Sequence, residues 1–198
     1  MPRAENPGKS GHMTHPYFFG YGSLVNRRTH GYHDASPARI NGWRRVWRHV
    51  TSRNVAFLTA YPSRGTVLDG LIARVPDADW DALDAREFSY LREPATDVEH
   101  AHPHALDVQI YHAPPHLHAP ATAHHPVLLS YLDAVVQGYL SEFGEAGVRH
   151  FFDTTDGWDA PIRDDRPDPI YPRHQVLTRD EQSLVLDELA RVGAKVVR

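Results

Sequence analysis

Tyr17-Phe18-Phe19-Gly20-Tyr21-Gly22-Ser23-Leu24-Val25-Asn26 reads as a short buried strand running into a glycine-punctuated loop. Two glycines within three residues allow positive φ and let backbone N–H groups approach a bound oxygen, which makes the loop a candidate oxyanion cradle. An ordinary tight turn after an edge strand is the competing reading. A second stretch, Leu83-Asp84-Ala85-Arg86-Glu87-Phe88-Ser89-Tyr90-Leu91-Arg92, adds ionisable and aromatic groups that could complete a site with that loop.

Composition narrows the function classes. The 198 residues suit one domain with a sizeable core, 41% being hydrophobic and 23% charged. A net charge of -4 gives no electrostatic reason to expect nucleic acid, so small-molecule partners are expected. The chain has no cysteine, which excludes disulfides, thiolate metal sites and a cysteine nucleophile, and fits a cytoplasmic protein. Residues 1–15 are polar, without the apolar core of a signal peptide, and no segment approaches the roughly 20 apolar residues of a membrane helix. They are expected to be a disordered leader or expression remnant, with Met13 an alternative start, and residues 16–198 to form a single domain.

Along the chain, Pro37-Ala38-Arg39-Ile40-Asn41-Gly42-Trp43-Arg44-Arg45-Val46-Trp47 predicts a long strand whose tryptophans pack in the core. Residues 55–61 and 66–75 predict two more strands, separated by a turn at Pro62-Ser63-Arg64-Gly65. Pro76-Asp77-Ala78-Asp79 predicts a helix start, with two turns ending near Glu87. Residues 90–98 predict a strand, as does the alternation of Leu106, Val108 and Ile110 with Asp107, Gln109 and Tyr111. Leu128, Tyr131, Leu132, Val135, Val136, Tyr139 and Leu140 recur at helical spacing, with Pro126 near the first turn. Thr178 and Glu181 form a capping box ahead of Val185, Leu186, Leu189 and Val192. Residues 154–173 are rich in Pro, Asp and Arg and predict an irregular segment. Strands first and longer helices last give an α+β class.

Phe19-Gly20-Tyr21-Gly22-Ser23-Leu24, Gly42-Trp43-Arg44-Arg45, and Leu83-Asp84-Ala85-Arg86-Glu87 with Tyr90 and Arg92 together resemble the γ-glutamylcyclotransferase superfamily, most closely its ChaC-type branch. Three motifs in the right order carry the resemblance, which spans residues 17–98. It implies a small mixed β-barrel flanked by helices, with the glycine loop and one glutamate facing each other across a cavity. It also implies a cofactor-independent enzyme that releases 5-oxoproline from a small γ-glutamyl substrate. ChaC-type members carry glycines after the glutamate where this chain has Phe88 and Ser89, and an aromatic where it has Asn26, so the leaving amine stays open between glutathione and other γ-glutamyl compounds.

The chemistry behind that implication follows from the substrate. In a γ-glutamyl amide the α-amine attacks the γ-carbonyl, closes a five-membered ring and expels the leaving amine, so no enzyme nucleophile is required. Holding the chain bent supplies proximity worth roughly 7–11 kcal/mol. One carboxylate can take the ammonium proton and return it to the leaving nitrogen, and Glu87 is the candidate for that role. An exposed glutamate with a pKa near about 4.3 is a feeble acid at neutral pH, so Glu87 is expected to be buried with a raised pKa. Tyr21, Gly22, Ser23 and Leu24 are the candidate cradle, their amides facing the developing oxyanion. Tyr90 is a candidate partner of Glu87 or substrate, and Arg92 of a substrate carboxylate. Trp158, Arg163, Arg166 and Tyr171 could form a lid, or belong to a proline-braced surface loop.

Two other classes stay open. Eight of the 15 histidines fall within residues 100–125, which allows a metal-binding module, although their spacing matches no closed zinc site and no metal is expected. A non-catalytic binding protein on the same fold would keep the glycine loop without needing Glu87 for turnover.

Overall fold

The computed structural model describes residues 16–51 and 53–197, so the expected leader at 1–15 lies outside the described residues. Strands β1 (Pro16–Gly20), β2 (Ser36–His49) and β3 (Phe57–Arg74) are followed by helix α1 (Asp81–Arg86) and strands β4 (Leu91–Pro94), β5 (Val98–His100) and β6 (Asp107–His112). They form one mixed sheet in the order β4-β6-β1-β3-β2-β5, with β1 and β6 parallel and the other pairs in this order antiparallel. The α+β class stands. The sheet, however, ends at β4 and β5 without closing, so the expected mixed barrel is an open mixed sheet.

Two faces of β1 explain its unbroken aromatic run. Tyr17 and Phe19 enter the main core, whereas Phe18 packs on the other face with Leu24, Ala73, Val75, Leu83 and Tyr111. A strand covered on both sides needs apolar residues at every position. Residues 57–74 form one strand rather than two, because Ser63 to Thr66 bulge opposite Gly42 instead of turning the chain. Gly42 and Gly65 supply the positive φ of that bulge. The strand expected over 90–98 is divided into β4 and β5, with Asp97 at positive φ just before β5.

After β7 (Ala119–Pro120) and β8 (Val127–Leu128), helix α2 (Leu129–Asp153) runs farther than its first apolar stripe indicated. Pro126 precedes β8 and so stands outside the helix. Gly144, at positive φ, breaks the helical geometry, and Val148, Phe151 and Phe152 resume burial beyond it. The segment 154–173 is irregular apart from β9 (Thr155–Asp156) and β10 (Ile162–Arg163). Helix α3 (Arg179–Arg191) starts at the expected capping box, Thr178 accepting from the Glu181 amide and Glu181 from the Thr178 amide. Val185 and Leu189 are buried, while Leu186 points outward. The last strand, β11 (Val196–Val197), pairs with β10. No helix among the described residues is long and apolar enough to cross a membrane.

Candidate active site

The loop leaves the C-terminal end of β1 as a single 3-10 turn, Ser23–Val25. Its glycines serve close approach rather than positive φ, which neither adopts. A Cβ on Gly20 would lie 2.6 Å from Leu24 Cβ, and one on Gly22 would lie 2.7 Å from the Tyr131 hydroxyl. The turn commits the Val25 amide to Gly22 O and the Asn26 amide to Ser23 O. The Gly22, Ser23 and Leu24 amides make no bond to a backbone carbonyl among the described residues. The Ser23 amide faces the Tyr131 hydroxyl, and amides without a carbonyl partner at the start of a turn can receive an oxygen ligand.

Three anchors fix this loop. Asn26 donates to Ala134 O at 2.8 Å and Gln137 Oε1 at 3.2 Å, tying it to α2. Gly138 brings the helix backbone close, since a Cβ there would fall 2.6 Å from the Asn26 nitrogen. Beneath it lies the fully buried Arg45, which donates to Tyr139 Oη at 2.7 Å, Thr155 Oγ1 at 3.0 Å and Thr154 Oγ1 at 2.5 Å. The Tyr139 hydroxyl in turn stands 2.9 Å from the Tyr21 carbonyl. His30 faces the Leu24 carbonyl at 3.1 Å, and burial pulls its pKa down to about 4.

Glu87 is the C-cap of α1, its amide donating to Leu83 O at 2.9 Å. Leu83 is fully buried on the Phe18 face and holds the short helix there. The Glu87 side chain is 18% exposed and meets Arg86 Nε at 3.3 Å. Burial raises its pKa above the ordinary glutamate value, against the opposing fields of Arg86, Arg173 and Arg53. Arg86 also reaches Thr29 O at 3.2 Å and Ser23 Oγ at 3.4 Å, linking the carboxylate to the glycine loop.

Tyr21, Gly22, Ser23, Leu24, Glu87 and Tyr90 all line one cavity, together with Tyr111 and Tyr131. Tyr90 contributes its ring as wall while its hydroxyl donates to Leu58 O at 2.7 Å, so Glu87 is not its hydrogen-bond acceptor. Arg92 stands apart from that lining: it forms a two-pronged pair with Asp84 at 3.0 and 3.2 Å and lies over the Trp80 ring. A second cavity of about 180 Å³ shares Ser23, Leu58, Glu87, Tyr90 and Tyr131 with the first and extends to Arg53, Tyr171 and Arg173.

Of the four lid candidates, Tyr171 reaches this second cavity and meets Tyr131 edge to face. Trp158 is a core residue, Arg166 pairs with Asp133 at 2.7 Å, and Arg163 belongs to β10. Sequence reading missed Arg53 and Arg173, and it placed Tyr131 only on the apolar face of a helix, because helical spacing marks a buried face without showing what that face meets. The histidines disperse: His125 stacks on His49, and His112 meets Glu93 at 3.1 Å. Among the described residues no three His, Asp or Glu side chains group as a metal site.

The family model described as gamma-glutamyl cyclotransferase, AIG2-like, matches residues 18–132. Among solved structures, the uncharacterized protein loc79017 from Homo sapiens has a TM-score of 0.56 at 12% identity, with 86% of this chain and 97% of that chain covered. A gamma-glutamyl cyclotransferase has a TM-score of 0.55 at 13% identity, with 86% of this chain and 98% of that chain covered. YkqA from Bacillus subtilis has a TM-score of 0.52 at 18% identity, with 72% of this chain and 56% of that chain covered. Such identities speak for the fold. Among curated proteins none matches, and none of these matches singles out the ChaC-type branch. Because the family match takes in more than half of the chain, from β1 through the glycine loop and Glu87 into α2, the chain belongs to the gamma-glutamyl cyclotransferase, AIG2-like family.

Proposed function

We propose that the protein releases 5-oxoproline from a γ-glutamyl amine or peptide. The substrate's α-ammonium gives one proton to Glu87, the amine so formed attacks the γ-carbonyl carbon, and the C–N bond to the leaving amine breaks as Glu87 returns a proton to the leaving nitrogen. The second proton shed by the α-nitrogen, as it becomes the lactam N–H, leaves the released amine as an ammonium. Glu87 carries the proton in both directions. The observation that carries this reading is the shared cavity: a carboxylate whose pKa burial raises lines the same space as the Gly22–Leu24 loop, whose amides make no bond to a backbone carbonyl among the described residues. A raised pKa brings the carboxyl nearer neutrality, where it serves better as both base and acid.

In this reading the Gly22, Ser23 and Leu24 amides receive the oxyanion, and loss of one such donor typically costs about 3–4 kcal/mol. Tyr90 and Tyr131 wall the site, and burial first of all keeps their hydroxyls protonated. Arg92 acts only through Asp84, whose Oδ1 also accepts from the Tyr111 hydroxyl. The reaction as written balances without a cofactor, and the cysteine-free composition suits a cytoplasmic location.

The test is 5-oxoproline release from a panel of γ-glutamyl peptides and γ-glutamyl amines by wild type and Glu87→Gln. Loss of kcat by about 10²–10⁴ in a folded Glu87→Gln protein is the expected result. Near-normal turnover by that variant would remove Glu87 from the mechanism. Absence of turnover by wild type across the panel would favour a binding protein on this fold.

A further inference from the structure

We propose that Tyr139, with the guanidinium of Arg45 behind it, is a positioning residue for the oxyanion: it aims and polarises the Gly22 amide through the carbonyl of the same peptide group. This rests on the cyclotransferase reading and names what sets one of its donors. The Tyr21 carbonyl and the Gly22 N–H belong to one peptide, and no peptide bond among the described residues is cis. In a trans peptide the C=O and N–H point in opposite directions. Tyr139 Oη holds the carbonyl at 2.9 Å. The amide is thereby turned away from Tyr139, on a residue that lines the cavity shared with Glu87.

The protons allow only one direction of donation. A tyrosine hydroxyl has one proton to give and can accept two. Arg45 Nη1, at 2.7 Å from Tyr139 Oη, can only donate, while the carbonyls of Tyr21 and Asp69, at 2.9 and 2.8 Å, can only accept. Burial keeps the Tyr139 proton on its oxygen. Asp69 O has a second donor in Arg45 Nη1 at 3.3 Å, which leaves the Tyr139 proton for the Tyr21 carbonyl. Arg45 is fully buried, yet every acceptor it meets is a neutral hydroxyl or carbonyl oxygen. The Asp69 carboxylate is held instead by Arg39 at 2.8 Å and His150 at 2.7 Å. A buried charge that no carboxylate neutralises polarises the chain of hydrogen bonds it starts. Arg45 lines neither cavity of the site, so its field reaches the loop through Tyr139. The guanidinium strengthens the hydroxyl as a donor, the hydroxyl draws electron density onto the Tyr21 oxygen, and the Gly22 N–H becomes more positive where the oxyanion forms.

The test combines NMR with kinetics. Tyr21–Gly22 is the only Tyr–Gly pair in the chain, so carbonyl-¹³C tyrosine and ¹⁵N glycine give that peptide a unique correlation. Tyr139→Phe removes the hydroxyl alone. The Tyr21 carbonyl resonance is expected to move to lower frequency as its hydrogen bond is lost. In the 5-oxoproline assay kcat should fall by about 10- to 100-fold, short of the roughly 10²–10³ of a donor lost outright, with KM within about twofold. Val185→Ala, a buried change on α3 outside both cavities, controls for lost stability and should keep kcat within about twofold. An unmoved resonance in folded Tyr139→Phe, a kcat like that of wild type, or an equal loss in Val185→Ala would each overturn the proposal and leave the cyclotransferase reading standing. Failure of folded wild type on every γ-glutamyl substrate would overturn that reading and the role of Tyr139 with it. Should Tyr139→Phe not fold, 3-fluorotyrosine placed at position 139, a stronger donor of nearly the same shape, is expected to move the resonance to higher frequency, and an unmoved resonance would overturn the proposal.

Discussion

Gly138→Ala tests whether the glycine loop is held rigidly against α2. A Cβ at this position would sit 2.6 Å from the Asn26 nitrogen and 2.8 Å from both its Cα and Cβ. Comfortable contacts between such atoms lie near 3.5–4.0 Å, so one backbone has to retreat by about 1 Å. Asn26 resists, being fastened to Ala134 O and Gln137 Oε1 while its Oδ1 accepts from the Arg28 amide at 3.0 Å. Overpacking costs about 1–3 kcal/mol. Alanine recovers about 1 kcal/mol of helix propensity, and strain on the two Asn26 bonds to α2 takes back a similar amount, at about 1 kcal/mol for each bond lost. The net loss is about 1–3 kcal/mol, which in a domain of this size lowers Tm by roughly 2–4 °C per kcal/mol. Turnover should suffer more, because a shift of about 1 Å at a reacting centre can cost about 100-fold. Thermal unfolding and 5-oxoproline release on the same preparation check both figures, with the exposed Ser141→Ala as a control for helix propensity. A Gly138→Ala protein at least as stable as wild type and equally active would refute the rigid clamp.

Glu87→Gln should have a stability signature separate from the loss of turnover proposed for it. The folded pKa of Glu87 lies above its ordinary value of 4.5, so its relative stability is intact below that pH and is lost as pH rises through the folded pKa. Urea unfolding should therefore find the stability difference between the two proteins constant below pH 4.5 and shifting in favour of the glutamine variant toward neutrality. Leu83→Ala empties a fully buried site and should cost about 2–5 kcal/mol by urea unfolding, with turnover falling further than stability alone explains. Thr178→Ala removes the cap of α3 and should cost about 1 kcal/mol without altering turnover, read by thermal unfolding and 5-oxoproline assay. Arg92→Gln, outside the cavity and paired at the surface, should keep kcat/KM within about twofold of wild type.

What could be read from the chain alone was whatever local chemistry decides. The Thr178 capping box needs only residues three apart, and the aromatic run at 17–19 declares a strand buried on both sides. The spacing from Leu128 to Leu140 gives the helix but not its continuation, because Gly144 interrupts the pattern before Val148 and Phe151 restore it. The bulge at residues 63–66 looks like a turn because its purpose, absorbing a register shift against β2, is visible only with both strands in place. Gly20 and Gly22 likewise signal special backbone dihedrals, yet the actual requirement is room for Leu24 and Tyr131. Glu87 emerged by resemblance to a family. Arg53 and Arg173 carry no local sign of their position, since their shared cavity exists only once residues far apart in sequence have met.

The glycine loop hangs from β1, the strand shielded on both faces, whereas the carboxylate hangs from a helix of six residues secured chiefly by one leucine. These two halves should therefore differ in lability. Amides of β1 are expected to exchange with solvent hydrogen only when the sheet comes apart, while those of α1 exchange through brief local openings. Every such opening hands Glu87 back to water and restores an ordinary carboxyl acidity. Under the proposed mechanism, the fraction of time that α1 stays docked is thus an upper limit on the fraction of molecules able to turn over.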